Sequence, residues 1–436
     1  MTTLTLPTAN QERVFSVASE ESLLPIRQTP VIKEDMPLEE RVPLLLIRDL
    51  LRLGWCIKSN SNKSLELVPP SNYEKNVVKA AMGYSRNEIM DRNNIWINSH
   101  LDLARGNLAP GNDALKSEIC PRIEVCETQN QHDIFRIFRY SWSSPSSDYV
   151  GRRIRLLIRD DGVKGSPIIG IAALGSSIIH IHDRDKWIGW DTKTRTNRII
   201  YMMDAYVVGA MPPYNYLLGG KLISYILASN ELRAIYKAKY TNAKTIIKNR
   251  EASDLILIMT TSLYGQNSSQ YNRLKYGKSL IYKPIGTTSG YGSLHISNET
   301  FNAMLQLAEE NGCNISNRFG DGPNWRMRVI RSACDVLGLN SDVILKHSFQ
   351  RGLFAIRLAV NWKSFLKGES QTPIYRNLPL NKLVNHWRDR WFEMRKRNDM
   401  VVQKVREFSP EQFTIGKTNI SSLEQNCNIP NTAQIV

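Results

Sequence analysis

The apolar positions change period along the chain. Val42, Leu45, Leu46, Leu50 and Leu53 recur at three- and four-residue spacing, which predicts a helix ending at Gly54. Residues 72–90 and 96–105 predict further helices, and LELVPP (65–70) a short strand. A small helical domain is therefore expected over 37–112, bounded by the turn-forming APGND at 109–113. From Pro121 the pattern shortens. RIEVCE predicts a strand, and Ile134, Phe135, Ile137 and Phe138 a helix over 131–140. RIRLLIR (153–159) alternates like a half-buried strand, and PIIGIAAL (167–174) predicts the next one. HDRDKWIGWDTKTRTN (182–197) reads as a charged connector. Residues 199–208 and 255–261 are β-branched runs with the length of buried strands. Between them Pro212-Pro213 stops the first, and Gly219-Gly220 opens a helix over 221–228, where Leu222, Tyr225, Ile226 and Ser229 share a face. A short helix at 268–274 and a strand at 280–283 complete the order β-α-β-β-β-α-β-α-β over 113–300.

Beyond residue 300 the spacing becomes helical again over 301–312, 325–337, 342–360 and 380–406, defining a helical C-terminal region at 301–415. Residues 1–36 and 416–436 are polar and aperiodic, and are expected to be loose tails. The expected class is α+β, a mixed sheet with helices flanked by helical N- and C-terminal regions.

Charge sharpens the picture. Lys and Arg number 57 against 41 Asp and Glu, a net +16, while hydrophobic content of 42% is that of an ordinary globular protein. Such an excess points to a polyanion, with nucleic acid ahead of a membrane surface, or else to dispersed solubility charge. The six cysteines are scattered, and Cys120 and Cys126 lack the spacing of a zinc site, so no metal is expected. The polar opening MTTLTLPTANQERVF is not a signal peptide, and no apolar run approaches the ~20 residues that span a bilayer. The expectation is a cytoplasmic chain with free thiols and no membrane contact.

Several constellations carry candidate chemistry. Strand, glycine turn and helix can hold an anion at the helix start, where N–H groups are unpaired. That makes Tyr214, Asn215, Gly219, Gly220 and Lys221 phosphate-binding candidates, unless the glycines serve close packing of the helix. A P-loop is excluded because Asn215 stands where its first glycine would be, so ATP hydrolysis is not expected. Thr260, Thr261, Tyr264, Gly265, Ser268 and Arg273 follow the second strand, at the end where α/β sheets bind ligands. Helix capping accounts for one of these residues. Gly290 lies in GTTSGYG (286–292), which is either a loop closing on a ligand or a hairpin connector.

Nucleic-acid-binding candidates are Arg152, Arg153, Trp187, Trp190, Arg351, Arg388, Arg390 and Arg395. Trp187 and Trp190 lie among cations and can stack on bases, or be core. Trp387 and Trp391 fall four apart on a helix with a basic outer face suited to phosphates rather than bases. On a strand His180 and His182 would share a face, but with Asp183 and Asp185 they would need another ligand from elsewhere to make a metal site; His347 stands near Arg351, and Asp204 lies mid-strand. No nucleophile–base set assembles from spacing, so catalytic residues and cofactors stay unassigned.

Two resemblances follow. The element order over 113–300 is similar to the GNAT acyltransferase fold, in which the loop after the fourth strand cradles the pyrophosphate of acetyl-CoA. That family's pattern is Arg or Gln, two residues, Gly, one residue, Gly or Ala. Here the loop reads Tyr216-Leu217-Leu218-Gly219-Gly220-Lys221 and departs from it in spacing and leading residue. More specific are SSPSSDYVGRRIRLLIRDDG, RDKWIGW, YVVGAMPPYNYLLGGKL, TTSLYGQNSSQYNRL, GTTSGYG, HSFQRGLF, NWKSFLKG and WRDRW. In this order, over roughly residues 40–405, they resemble the DruA family of Druantia-type bacterial anti-phage systems. The resemblance implies a cytosolic defence protein working with partners, among them a large helicase-like one. Relatives near transposase genes leave a transposon-associated DNA-binding role open. Two mechanisms compete: a DNA-binding module, or an enzyme whose group donor is held by the 215–221 and 260–273 loops.

Overall fold

The structure is a computed structural model. It describes residues 30–53, 55–59, 65–68, 75–144, 151–245, 249–263, 265, 269–288, 290–293, 295–315, 323–346 and 349–419. Among these, seven strands form one mixed sheet. They are β1 (Pro121–Val125), β2 (Arg153–Asp160), β3 (Ile168–Ser176), β4 (Met202–Ala210), β5 (Leu257–Ser262), β6 (Tyr282–Thr287) and β7 (Gly352–Arg357). The order across the sheet is β6-β7-β5-β4-β3-β2-β1. Every pair is antiparallel except β4 and β5. The α+β class expected from the sequence is the class observed.

The centre of the sheet is covered on both faces, so its strands carry apolar runs rather than alternation. In β3 every residue from Ile168 to Gly175 is buried. Strand β4 carries a bulge: Leu174 pairs with Ala205 and Ala173 with Val207, leaving Tyr206 extra. The bulge reverses the alternation beyond it. Met203, Ala205 and Val208 therefore share one core, while Met202 and Val207 point to the opposite face.

The helices that matter for the site are α1 (Leu38–Arg52), α2 (Gln129–Tyr140), α3 (His182–Ile188), α4 (Thr192–Arg198), α5 (Gly219–Ile226), α6 (Asn230–Tyr240), α7 (Asn298–Glu310), α8 (Pro323–Val336), α9 (Trp362–Lys367), α10 (Leu380–Trp387) and α11 (Asp399–Arg406). Helices α5, α6 and α10 cover one face of the sheet, with Leu222, Tyr225, Leu232, Leu383 and Trp387 in its core. On the other face α2 supplies Phe135 and Phe138, and α3 and α9 supply Ile188 and Phe365. Helix α2 starts with a capping box between Thr128 and Gln131. A separate core joins α1 to α7 and α8, where Val42, Leu45 and Leu50 meet Phe301, Met304, Val329 and Ile330.

Five sequence expectations are corrected. Residues 342–360 are not one helix: Ser341–Leu345 is helical and Gly352–Arg357 is β7, placed between β5 and β6. The run GLFAIR is buried from Gly352 to Ile356, and a continuous apolar run carries no period to tell strand from helix. The charged connector contains α3 and α4, the latter capped by the Asp191 side chain accepting from the Thr194 N–H. Strand β3 ends at Ser176 and His182 opens α3, so His180 and His182 share no strand face. Residues 269–274 form turns with no helix, Ser268 lying outside the described residues. The long helix over 380–406 is interrupted by a π-helical turn at Arg388–Phe392.

Candidate functional site

The parallel pair sets the geometry. β4 and β5 are in register from Met202 opposite Leu257 to Ala205 opposite Thr260. Past that point β4 continues against β3 to Ala210 and β5 continues against β7 to Ser262, so a wedge opens between them. The start of α5 faces the wedge. Leu218 adopts a left-handed φ of 61°, and the Gly219 N–H donates to the Tyr214 carbonyl. The glycines are required for close approach. A Cβ on Gly219 would lie 2.7 Å from the Tyr214 carbonyl oxygen and 2.9 Å from the Ala210 Cβ, and one on Gly220 would lie 2.6 Å from Gln270 Oε1.

The structure brings the two sequence-predicted loops together, and it fills the wedge with the protein's own groups. Gln270 donates from Nε2 to the Val208 carbonyl at 3.0 Å. Lys221 Nζ donates to the carbonyls of Gln270 (3.0 Å) and Asn272 (3.2 Å). The Tyr271 ring stacks on Tyr282 at 4.8 Å. Its hydroxyl lies 3.2 Å from that of Thr260, which donates to the Ala205 carbonyl. Tyr214 is buried, with its hydroxyl donated to Asp160. Asn215 is exposed, Thr261 half-buried, and Gly265 and Gly290 have φ of 73° and 65°. Tyr264 lies outside the described residues, as do Ser268 and His347. Near Gly290, Thr288 and Arg351 exchange backbone and hydroxyl hydrogen bonds, and Tyr291 forms a bridge to Lys346.

A cationic surface surrounds this filled wedge. The Lys221 ammonium lies 4.6 Å from the centre of the Trp391 ring, and the Arg390 guanidinium 5.2 Å from the same ring. The π-helical turn places Trp391 there. Trp387 stays buried against Phe392, and Trp391 is partly buried against the same core. Burial, then the positive charges of Arg273 and Arg390, hold the Lys221 amine below the ordinary lysine range. Arg273 and Arg390 are exposed. Among the described residues every ion pair is made by other cations, so Lys221, Arg273 and Arg390 converge without a carboxylate.

The remaining nucleic-acid candidates divide. Arg388 donates to the Glu118 and Ile119 carbonyls, Arg395 to the Tyr216 carbonyl, and Arg152 to the Tyr236 hydroxyl and the Met202 carbonyl. These three are engaged with the protein's own backbone and the Tyr236 hydroxyl, while Arg153 is exposed. Trp187 stacks on Trp362 at 4.2 Å, and Trp190 donates to the Leu366 carbonyl.

The histidine–aspartate segment is likewise engaged. Asp185 accepts from buried Arg184 and from Arg195, its Oδ2 lies 2.9 Å from His180 Nδ1, and Asp183 accepts the Thr287 N–H at 2.9 Å. Asp204 is buried beneath this segment and accepts from Ser177 and the Ile178 N–H. Burial pushes its carboxyl up to about 6. Sequence reasoning missed Gln270 and the Lys221–Trp391 contact, since nothing local to either residue signals a partner about fifty or more positions away.

A bulged seven-stranded mixed sheet with helices on both faces defines an α+β protein. Comparison with known families gives it a place: the family described as Druantia protein DruA matches residues 72–368. A curated relative, Druantia protein DruA of Escherichia coli (strain UMEA 4076-1), is 34% identical over 329 residues, covering 74% of this chain and 80% of the relative. The chain belongs to the DruA family and is thus a component of a Druantia anti-phage defence system, with other defence proteins as partners. No solved structure matches it. Among the described residues no helix is long and apolar enough to cross a membrane.

Proposed function

We propose that this chain is the nucleic-acid-contacting component of its defence system. It holds DNA by the phosphate backbone in the cytoplasm and works there with a helicase-like partner. The observation that carries this reading is the convergence of Lys221, Arg273 and Arg390 on one aromatic surface without a carboxylate. Like charges gathered this way repel, and a polyanion relieves the repulsion while releasing its own counterions. The helicase-like partner is what the family resemblance implies. The module reading is preferred to the enzyme reading because Gln270 and Tyr271 occupy the wedge that a group donor would need.

The test is titration of the purified protein with labelled single- and double-stranded DNA at two salt concentrations, followed by mass spectrometry of the recovered DNA. Tight, salt-sensitive binding of unaltered DNA is the expected result. Altered mass on a base or end would replace the module with an enzyme, and absence of binding would remove nucleic acid from the account.

A further inference from the structure

The cations at the wedge are one end of a longer arrangement. Arg273 leads into a small hairpin of two strands, Lys275–Tyr276 and Ser279–Leu280. The Tyr225 hydroxyl ties it to α5 by donating to the Lys275 carbonyl, and the Ile281 N–H closes its base by donating to the Leu274 carbonyl. Lys275 and Lys278 are exposed on it. At the far side Arg357 donates to the Leu280 carbonyl. Arg376 donates to the Arg357 carbonyl, and Arg233 to the Arg376 carbonyl. Lys275, Lys278, Arg357, Arg376 and Arg233 make no ion pair among the described residues, although Arg233 feels the charge of Glu231. Arg357 and Arg376 feel each other's charge. Arg233 lies 4.1 Å over the Tyr375 ring.

Resting on the nucleic-acid reading above, we propose that this surface is an extended track for a polynucleotide backbone. It runs from Arg390 and Lys221, along the 275–280 hairpin, to Arg357, Arg376 and Arg233. A mononucleotide or a single phosphate would need one cluster. The Lys221 ammonium with the Arg390 guanidinium at one end, and three half-buried guanidinium groups at the other, joined by two exposed lysines, match a ligand with repeating negative charge. The side chains offered are cations on a surface of backbone carbonyls, so contacts go to phosphates and the track takes sequence indiscriminately.

The test compares oligothymidylates of about 6 and about 24 nucleotides, reading the slope of log affinity against log salt, which counts phosphates neutralised at about 0.7 per contact on single strands. This slope, unlike affinity, does not rise merely because a longer strand offers more registers. The track predicts a steeper slope for the longer strand. Lys275→Glu with Lys278→Glu lowers the longer strand's slope by about 1–2. Both residues lie on an exposed hairpin, and an unaltered melting temperature confirms that the variant is folded. Equal slopes for the two lengths, or a folded variant with the wild-type slope, would overturn the track and leave a local patch in place. Failure of both strands to bind would remove the nucleic-acid reading itself.

Discussion

Lys221 and Trp391 lie face to face. The ammonium sits 4.6 Å from the ring centre while donating to the carbonyls of Gln270 and Asn272. One contact thus ties the start of α5, the turn after β5 and the π-helical turn into a single surface. The consequences can be measured residue by residue.

Arg388 and Arg390 are two positions apart and do different work. Arg388→Ala removes donors to the Glu118 and Ile119 carbonyls and is expected to cost about 1–3 kcal/mol of stability. Arg390→Ala leaves the melting temperature in place and weakens DNA binding equally for all sequences, with the salt slope falling by about 1. Urea denaturation and DNA titration of the two single variants check this. A loss of stability in Arg390→Ala comparable to that of Arg388→Ala would contradict it.

The glycine pair separates in the same manner. A methyl on Gly219 meets backbone, the Tyr214 carbonyl oxygen at 2.7 Å, whereas one on Gly220 meets the far end of the flexible Gln270 side chain. Gly219→Ala is expected to lose about 1–3 kcal/mol and Gly220→Ala distinctly less, as measured by chemical denaturation. Equal losses would mean that the helix start has room the structure does not give it.

Acid sensitivity follows from two buried groups of opposite sign. His295 is buried with Nε2 on the Ile344 carbonyl, and burial lowers its pKa to about 4 from 6.5. The unfolded chain takes up that proton first. Stability from His295 is therefore complete above pH 6.5 and lost as the pH falls toward 4, by about 3 kcal/mol in all. Asp204, raised to about 6 from 3.8, works the other way: folding favours its protonated form, and stability declines as the pH rises from 3.8 to 6. In Asp204→Asn the opposing contribution is gone, so the fall in stability between pH 6.5 and 4 is steeper than in the wild type. Denaturation midpoints across that range provide the check, and parallel curves for the two proteins would refute the assignment.

Trp187 stacks on Trp362 at 4.2 Å, between α3 and α9. Trp187→Ala is expected to cost about 2–4 kcal/mol and to leave the DNA affinity of the folded protein unchanged. Affinity lost without stability would instead return Trp187 to the binding surface.

The apolar runs of β2, β3, β4 and β5 were legible because β-branched residues between turn residues leave few alternatives. β7 was not, since its run is buried from Gly352 to Ile356 and its partners β6 and β5 lie more than sixty positions before it. Helices α3 and α4 were hidden by their charge: Arg184 and Asp185 are inside the protein, paired with each other, where polarity predicts a surface connector. At the site, motif reasoning located the Gly219–Gly220–Lys221 turn and the residues after β5. It could not foresee that Gln270 would lie against Gly220 or that the Lys221 ammonium would meet Trp391, because both depend on packing between segments remote in sequence.

The position of β7 bears on how the chain is made. β6 reaches the rest of the sheet through β7 alone, and β7 is separated from β6 in sequence by the helices α7 and α8. During synthesis the edge of Leu257–Ser262 therefore stays uncovered until Gly352–Arg357 has left the ribosome. For that interval the nascent protein carries an open hydrogen-bonding edge of apolar residues, the kind of surface on which chaperones act and on which prematurely terminated chains associate.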